Sequence, residues 1–260
     1  MAKAKNVRKA PADEDAGFWD KPVLMNLVSD FLMVLGGASL AWAAAMAMQR
    51  LPIFPLRQLV VATPLEQVAR GQIEQTARTA LNGNFFTVNL DAVRGAFEQL
   101  PWVRKASVRR RWPDAIELSL EEHVAAARWQ RASGEPALVN THGEIFAAAL
   151  PGEQALPAFA GPEGSSASVL DHYRAFKQTL APLERRPVMV ALTARQAWEV
   201  KLDDGVVVEL GRDQNNQPVT DRMARFAAYY PGARQKLGTI AGVIDMRYPN
   251  GFALRPVHKS

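Results

Sequence analysis

The hydrophobic pattern divides the chain into three stretches. Phe31 to Met48, FLMVLGGASLAWAAAMAM, holds eighteen residues without a charge. As a helix it spans roughly 27 Å at about 1.5 Å per residue, close to a bilayer's hydrocarbon thickness. The apolar character reaches back to Val23, interrupted by Asn26 and by Asp30, whose carboxylate is expected near the headgroups. Gly36, Gly37, Ala38 and Ser39 make a small-residue face. A cleaved signal peptide fits poorly: the run starts after about twenty polar residues and exceeds an h-region of roughly 7–15 residues. The pattern thus predicts a polar, disordered tail over 1–22 and a transmembrane helix over 23–48. Lys3, Lys5, Arg8, Lys9 and Lys21 precede it and Arg50, Arg57 and Arg70 follow, a bias that puts the tail in the cytoplasm and the bulk across the membrane.

Beyond a stiff Leu51–Pro55 linker, residues 49–123 alternate between strand and helix periods. Gln58–Ala62 reads as a strand, and Leu65–Leu81 as an amphipathic helix with Val68, Ile73 and Ala77 on one face, ended by Asn82-Gly83-Asn84. Asn89 caps a second helix with Leu90, Val93, Phe97 and Leu100 at helical spacing, and Pro101 stops it. Val103 and Val108 begin a strand, Trp112-Pro113-Asp114 turns, and Ile116, Leu118 and Leu120 alternate in another. Two helices on one face of a three-stranded sheet bury these faces economically. Over 124–260 short strands dominate: Ala126–Trp129, Ala137–Asn140, Val188–Leu192, Trp198–Leu202, Val206–Leu210 and Ile240–Arg247. Helices are predicted over Ala167–Leu180 and Val219–Tyr230, the second closed by Pro231-Gly232. The fold class is α+β, with one membrane helix and two domains.

Composition removes several chemistries. There is no cysteine, so thiolate catalysis and cysteine-bound zinc are absent. His123, His142, His172 and His258 are scattered, without ligand spacing. Ser165 and Ser166 lack a nucleophile elbow, and Gly161-Pro162-Glu163-Gly164 puts proline where a phosphate cradle needs N–H groups. Glu121-Glu122-His123 reads as a solvated charge cluster. No catalytic, cofactor or metal residue is predicted. Net charge is +5. Arg104, Lys105, Arg109, Arg110 and Arg111 place five cations in eight residues. Outside the membrane such a patch does not meet nucleic acid; it is a solvated strand face, or a second contact through Arg104, Lys105, Arg109 and Arg111 with an acidic protein or anionic headgroups.

Several stretches together resemble the FtsQ/DivIB family of bacterial cell-division proteins: LPWVRKASVRRRWPDAIEL over 100–118; His123–Trp129 with Leu138–Phe146; Gly161–Ser165 with Val169, Leu170, Tyr173 and Arg174; LTARQAW over 192–198; Leu210-Gly211-Arg212; Arg222–Tyr230; and IDMRYPNG over 244–251. Each is weak alone; their order after one anchor is specific. The resemblance implies that 49–123 is a POTRA module and 124–260 the family's β domain. It implies a non-catalytic, essential division scaffold without cofactor, sited in the inner membrane and enriched at the septum. FtsB and FtsL would be recruited and FtsK contacted. A runner-up reading is a membrane-anchored POTRA protein that handles envelope polypeptides. An anchored cell-wall hydrolase would need paired acids, a thiol or a metal site.

The segment Ile240–Gly251 is expected to be an exposed sheet edge to which a partner strand, FtsB by the resemblance, adds. Ile244, Met246, Arg247, Tyr248, Asn250 and Gly251 would form it, with Phe252 supplying an aromatic contact where some members carry tryptophan. Arg195 and Arg222 would add charge beside it.

Overall fold

The computed structural model describes residues 21–50, 55–131, 134–150, 152, 154–237, 242–248 and 251–256. The expected tail disorder, Pro249-Asn250 and most of the Leu51–Pro55 linker lie outside them. Helix α1 runs Pro22–Arg50. It starts well before the uncharged run because isolated Asn26 and Asp30 cost a helix only tenths of a kcal/mol each, about the spread of ordinary propensities. Its Pro22–Met48 stretch has mean hydropathy 1.8 and no buried residue, and is long and apolar enough to cross a membrane.

The first module has strand β1 (Gln58–Val61), helices α2 (Arg70–Ala80) and α3 (Leu90–Glu98), and strands β2 (Val103–Arg111) and β3 (Ala115–Glu122), in sheet order β1-β3-β2. Helix α2 begins five residues later than predicted. The reason is Glu122, whose carboxylate accepts from the backbone N–H of Glu66 (2.8 Å), Gln67 (3.0 Å) and Val68 (2.7 Å) and holds them as a loop. Ile73 and Ala77 of α2 are buried as the periodicity required, as are Val93 and Phe97 of α3; Val68 is buried from the loop.

Contacts divide the chain into two compact units, one of residues 1–58, 81–89 and 110–116, the other of 59–80, 90–109 and 117–260. In the first, the Trp112-Pro113 turn (its peptide bond cis) is tied back by Arg57, whose N–H donates to Asp114 O (3.0 Å). Arg110 donates to the carbonyls of Phe85 (2.8 Å), Phe86 (3.2 Å) and Val88 (2.9 Å) and so fixes the loop before α3 to the end of β2.

In the second unit, strands β4 (Ala125–Gln130), β5 (Pro136–Asn140), β6 (Ile145–Phe146), β7 (Ala158–Ala160), β8 (Pro187–Leu192), β9 (Ala197–Leu202), β10 (Val207–Arg212), β11 (Gly242–Asp245) and β12 (Ala253–Pro256) form one sheet among the described residues. Its order is β12-β11-β10-β9-β8-β7-β4-β5-β6. It is mixed: β4 with β7, β7 with β8 and β10 with β11 are parallel. Helices α4 (Ser166–Leu180) and α5 (Val219–Leu237) pack on each other, α4 also on β7 and β8, α5 on β10. Phe159, Phe176, Leu180, Val200, Leu210, Met223 and Phe226 fill the core.

Three expectations are corrected. Helix α5 continues through Pro231 to Leu237; proline removes one ladder bond but leaves the following residues free to stay helical. Strands β6, β7 and β12, four residues or fewer, are too short to show a period. Most consequentially, the strand expected at the edge within Ile240–Gly251, described as β11, is not an edge: it pairs on one side with β10 and on the other with β12, Val243 facing Arg255 and Ile244 facing Leu254. The edge is β12.

Candidate partner-binding surface

The outer end of the long sheet is organised around a buried carboxylate. Asp245, on β11, is 2% exposed. It accepts from Arg247 three times, from the backbone N–H (3.0 Å), Nε (2.8 Å) and Nη2 (2.5 Å). Arg255 Nη2, from β12, lies 3.7 Å from Asp245 and 2.5 Å from Glu209 of β10, and Arg247 Nη2 is 3.5 Å from the same Glu209. Two cations and two carboxylates thus join three strands. The Arg247 guanidinium holds the Asp245 carboxyl below its ordinary range, against burial, which pushes the other way. Asp245 in turn raises the pKa of Arg247.

Arg247 gets this close because Gly211 lies under it. Strand β10 changes register between Glu209 and Gly211, and Gly211 has φ +77°. A Cβ there would meet Arg247 Cγ at 2.8 Å.

The predicted site residues separate by burial. Tyr248 (56% exposed), Arg247, Gly251 and Arg195 are at the surface, and Phe252 is half-buried against the core. Asn250 lies outside the described residues. Ile244, Met246 and Arg222, expected at the surface, are buried instead. Ile244 and Met246 face the core; Arg222 Nη1 donates inward to the carbonyls of Leu210 (2.5 Å) and Arg212 (2.7 Å), closing the β10 bulge. Arginine is mostly a surface residue, so its pattern on α5 read as surface charge.

Three residues at this end of the sheet were missed. Leu254 and Arg255 sit on β12, and the signal for them was present: the turn at 249–251 followed by alternating Phe252 and Leu254 is a hairpin pattern. Tyr229, exposed on α5, lines a shallow depression with Phe226, Met246 and Phe252.

The basic patch on β2 is also corrected in part. Arg104 is spent within the protein: Nε donates to Glu144 (2.8 Å) and Nη1 to Glu121 (2.8 Å). Glu144 is held further by Asn140 Nδ2, which also bonds His123 Nδ1, and His123 stacks on Phe146. Arg109 pairs with Glu117 (2.5 Å). Lys105 and Arg111 are exposed, on the same strand face as Arg109 by the two-residue period. Among the described residues no group of three or more His, Asp or Glu is placed to hold a metal ion.

An apolar helix of membrane-crossing length, a β-α-α-β-β module and a long mixed sheet carrying two helices define a POTRA protein with an appended β domain. Family models agree: "POTRA domain, FtsQ-type" matches residues 54–123, and "Cell division protein FtsQ/DivIB, C-terminal" matches 127–247. The chain is 41% identical over 240 residues to the cell division protein FtsQ of Burkholderia pseudomallei, covering 91% of this chain and 94% of that one. It is 34% identical to the FtsQ of Nitrosospira multiformis (91% and 98% covered) and 34% to that of Bordetella pertussis (91% and 92%). The chain belongs to the FtsQ/DivIB family of cell-division proteins.

Proposed function

We propose that the protein is a non-catalytic scaffold of the division machinery, held in the inner membrane by α1 with its tail in the cytoplasm, and that β12 receives a strand from a partner. FtsB, with FtsL, is the partner the family resemblance favours; FtsK is a further contact. The observation that carries this reading is the edge of β12, unpaired on its outer side among the described residues, with exposed Tyr248 and Tyr229 and the Arg247–Asp245–Arg255 cluster at the same end of the sheet. An edge strand offers a row of unpaired N–H and C=O groups, and a flat aromatic with a neighbouring arginine is the usual make-up of an interface hot spot. Arg247 keeps its Nη1 side for an acidic group on the partner.

The test is calorimetry of the full chain in nanodiscs with an FtsB segment. Tyr248→Ala should cost on the order of 2 kcal/mol or more of binding with the melting temperature unchanged. Full-strength binding by a folded Tyr248→Ala, Arg247→Glu double variant sinks the proposal.

The second reading, a POTRA protein that handles envelope polypeptides, draws on an apolar groove of about 630 Å³ between β1 and α2, lined by Leu59, Val61, Leu65, Val68, Ile73 and Ala77. Imaging separates the two: a division scaffold collects at mid-cell, a polypeptide handler spreads over the envelope.

A further inference from the structure

Trp112 is 81% exposed, more than any other large apolar side chain among the described residues, including those of the membrane-length helix α1. Tryptophan carries some 150–250 Å² of mostly apolar surface, and leaving it in water at a turn is costly unless something covers it. Phe86, 44% exposed, lies at the same end of the module, because Arg110 ties the carbonyls of Phe85, Phe86 and Val88 to the end of β2, two residues before Trp112.

The chain itself limits what can cover this turn. The N–H of Arg57 bonds Asp114 O. Arg57 is seven residues beyond Arg50, where α1 ends. At no more than about 3.5 Å per residue, the turn is tethered within roughly 25 Å of that helix end. Two exposed cations stand at it, Arg57 and Arg111, and neither makes an ion pair among the described residues. A tryptophan with unpaired arginines, on a short tether from a membrane helix, is the chemistry of a bilayer's headgroup layer, where indole rings settle and cations meet anionic lipid.

We propose that the β2–β3 turn is a second membrane contact: Trp112 seats in the headgroup layer of an anionic bilayer, with Arg57 and Arg111 on lipid phosphates. The proposal rests on α1 being the membrane anchor. It makes the first module lie turn-down on the membrane, and it gives Arg111 a role that differs from contact with an acidic protein.

The chain has no cysteine, so Trp112→Cys carries one unique fluorescent probe. The full chain is reconstituted in phosphatidylcholine vesicles with or without phosphatidylglycerol. With phosphatidylglycerol, the probe should be quenched by lipids bearing a nitroxide near the headgroup and shielded from aqueous iodide, whereas a probe at exposed Gln178 stays open to iodide. Arg57→Gln and Arg111→Gln should each lower the ratio of lipid to iodide quenching about fivefold, the worth of one cation near such a surface. Brominated lipid should quench the wild type more than Trp112→Phe, which checks the native side chain without a probe. A chain that floats with the vesicles while position 112 is as open to iodide as 178 overturns the turn contact alone. Shielding that appears only when another division protein is added also overturns it, in favour of a protein contact. A chain that does not float overturns the anchor, and the turn contact with it.

Discussion

Arg247 reaches Asp245 across a residue without a side chain, and position 211 is therefore a sensitive one. Gly211→Ala forces a non-glycine residue into the left-handed region, about 1–2 kcal/mol for an L-residue, and sets a methyl against the Arg247 stem. The expected result is a lower melting temperature together with weaker partner binding, since Arg247 must move. Asp245 makes the surface acid-sensitive. Its folded pKa lies below the ordinary carboxylate value, so the stability it contributes is present above that ordinary value and is lost as pH falls through the folded one. Asp245→Asn should flatten the acid limb of melting temperature against pH; an unchanged limb would show that the cluster contributes nothing. At this scale legibility was uneven. Tyr248 and Arg247 are exposed, as their place beside a turn implied. Arg222 was misplaced, because burial of an arginine depends on carbonyls brought in by β10, more than nine residues away in sequence. Gly211 was visible only as part of a motif; the arginine stem above it is a tertiary fact.

Strands with a clear two-residue alternation, β3 and β9, and helices with a continuous apolar stripe, α3 and α4, stand where the pattern put them. The failures have separate causes. The loop before α2 is held by Glu122, more than fifty residues further on, a contact no local period encodes. Strand β12 is four residues long and gains its identity from β11, to which it pairs from Gly242↔Pro256 to Asp245↔Ala253. That pairing yields a test of the edge. Successive N–H groups of a strand point to opposite sides, and proline removes one. Each is compared with alanine at the same position, because Leu254 packs against the core and Arg255 pairs with Glu209; of Leu254→Pro and Arg255→Pro, one removes an outward N–H and should abolish the partner binding that alanine leaves, with no loss of melting temperature beyond alanine's. The other breaks the β11 ladder and should lower both. If neither impairs binding, no strand adds at β12.

For the molecule as a whole, the proposed membrane arrangement rests on α1 and on the basic residues before it. A periplasm-active reporter fused after Ser260 should be active in cells, and the same reporter placed before Lys21 inactive; the reverse pattern would overturn the orientation. The change of helix and strand periods near residue 124 falls between the family matches over 54–123 and 127–247. The strand order was not legible, since β4 pairs with both β5 and the distant β7, and long-range pairing leaves no mark on local sequence. One further consequence comes from that order. Strand β12 follows in the chain every strand that supports it, and it rests on β11, which rests on β10 across the α5 crossover. On the proposed topology, export from the N-terminus would assemble the proposed docking edge after the rest of the sheet. On that proposal, a molecule stalled or misfolded upstream would have no edge to offer, and recruitment through β12 would act as a proofreading step that admits only copies with a finished sheet.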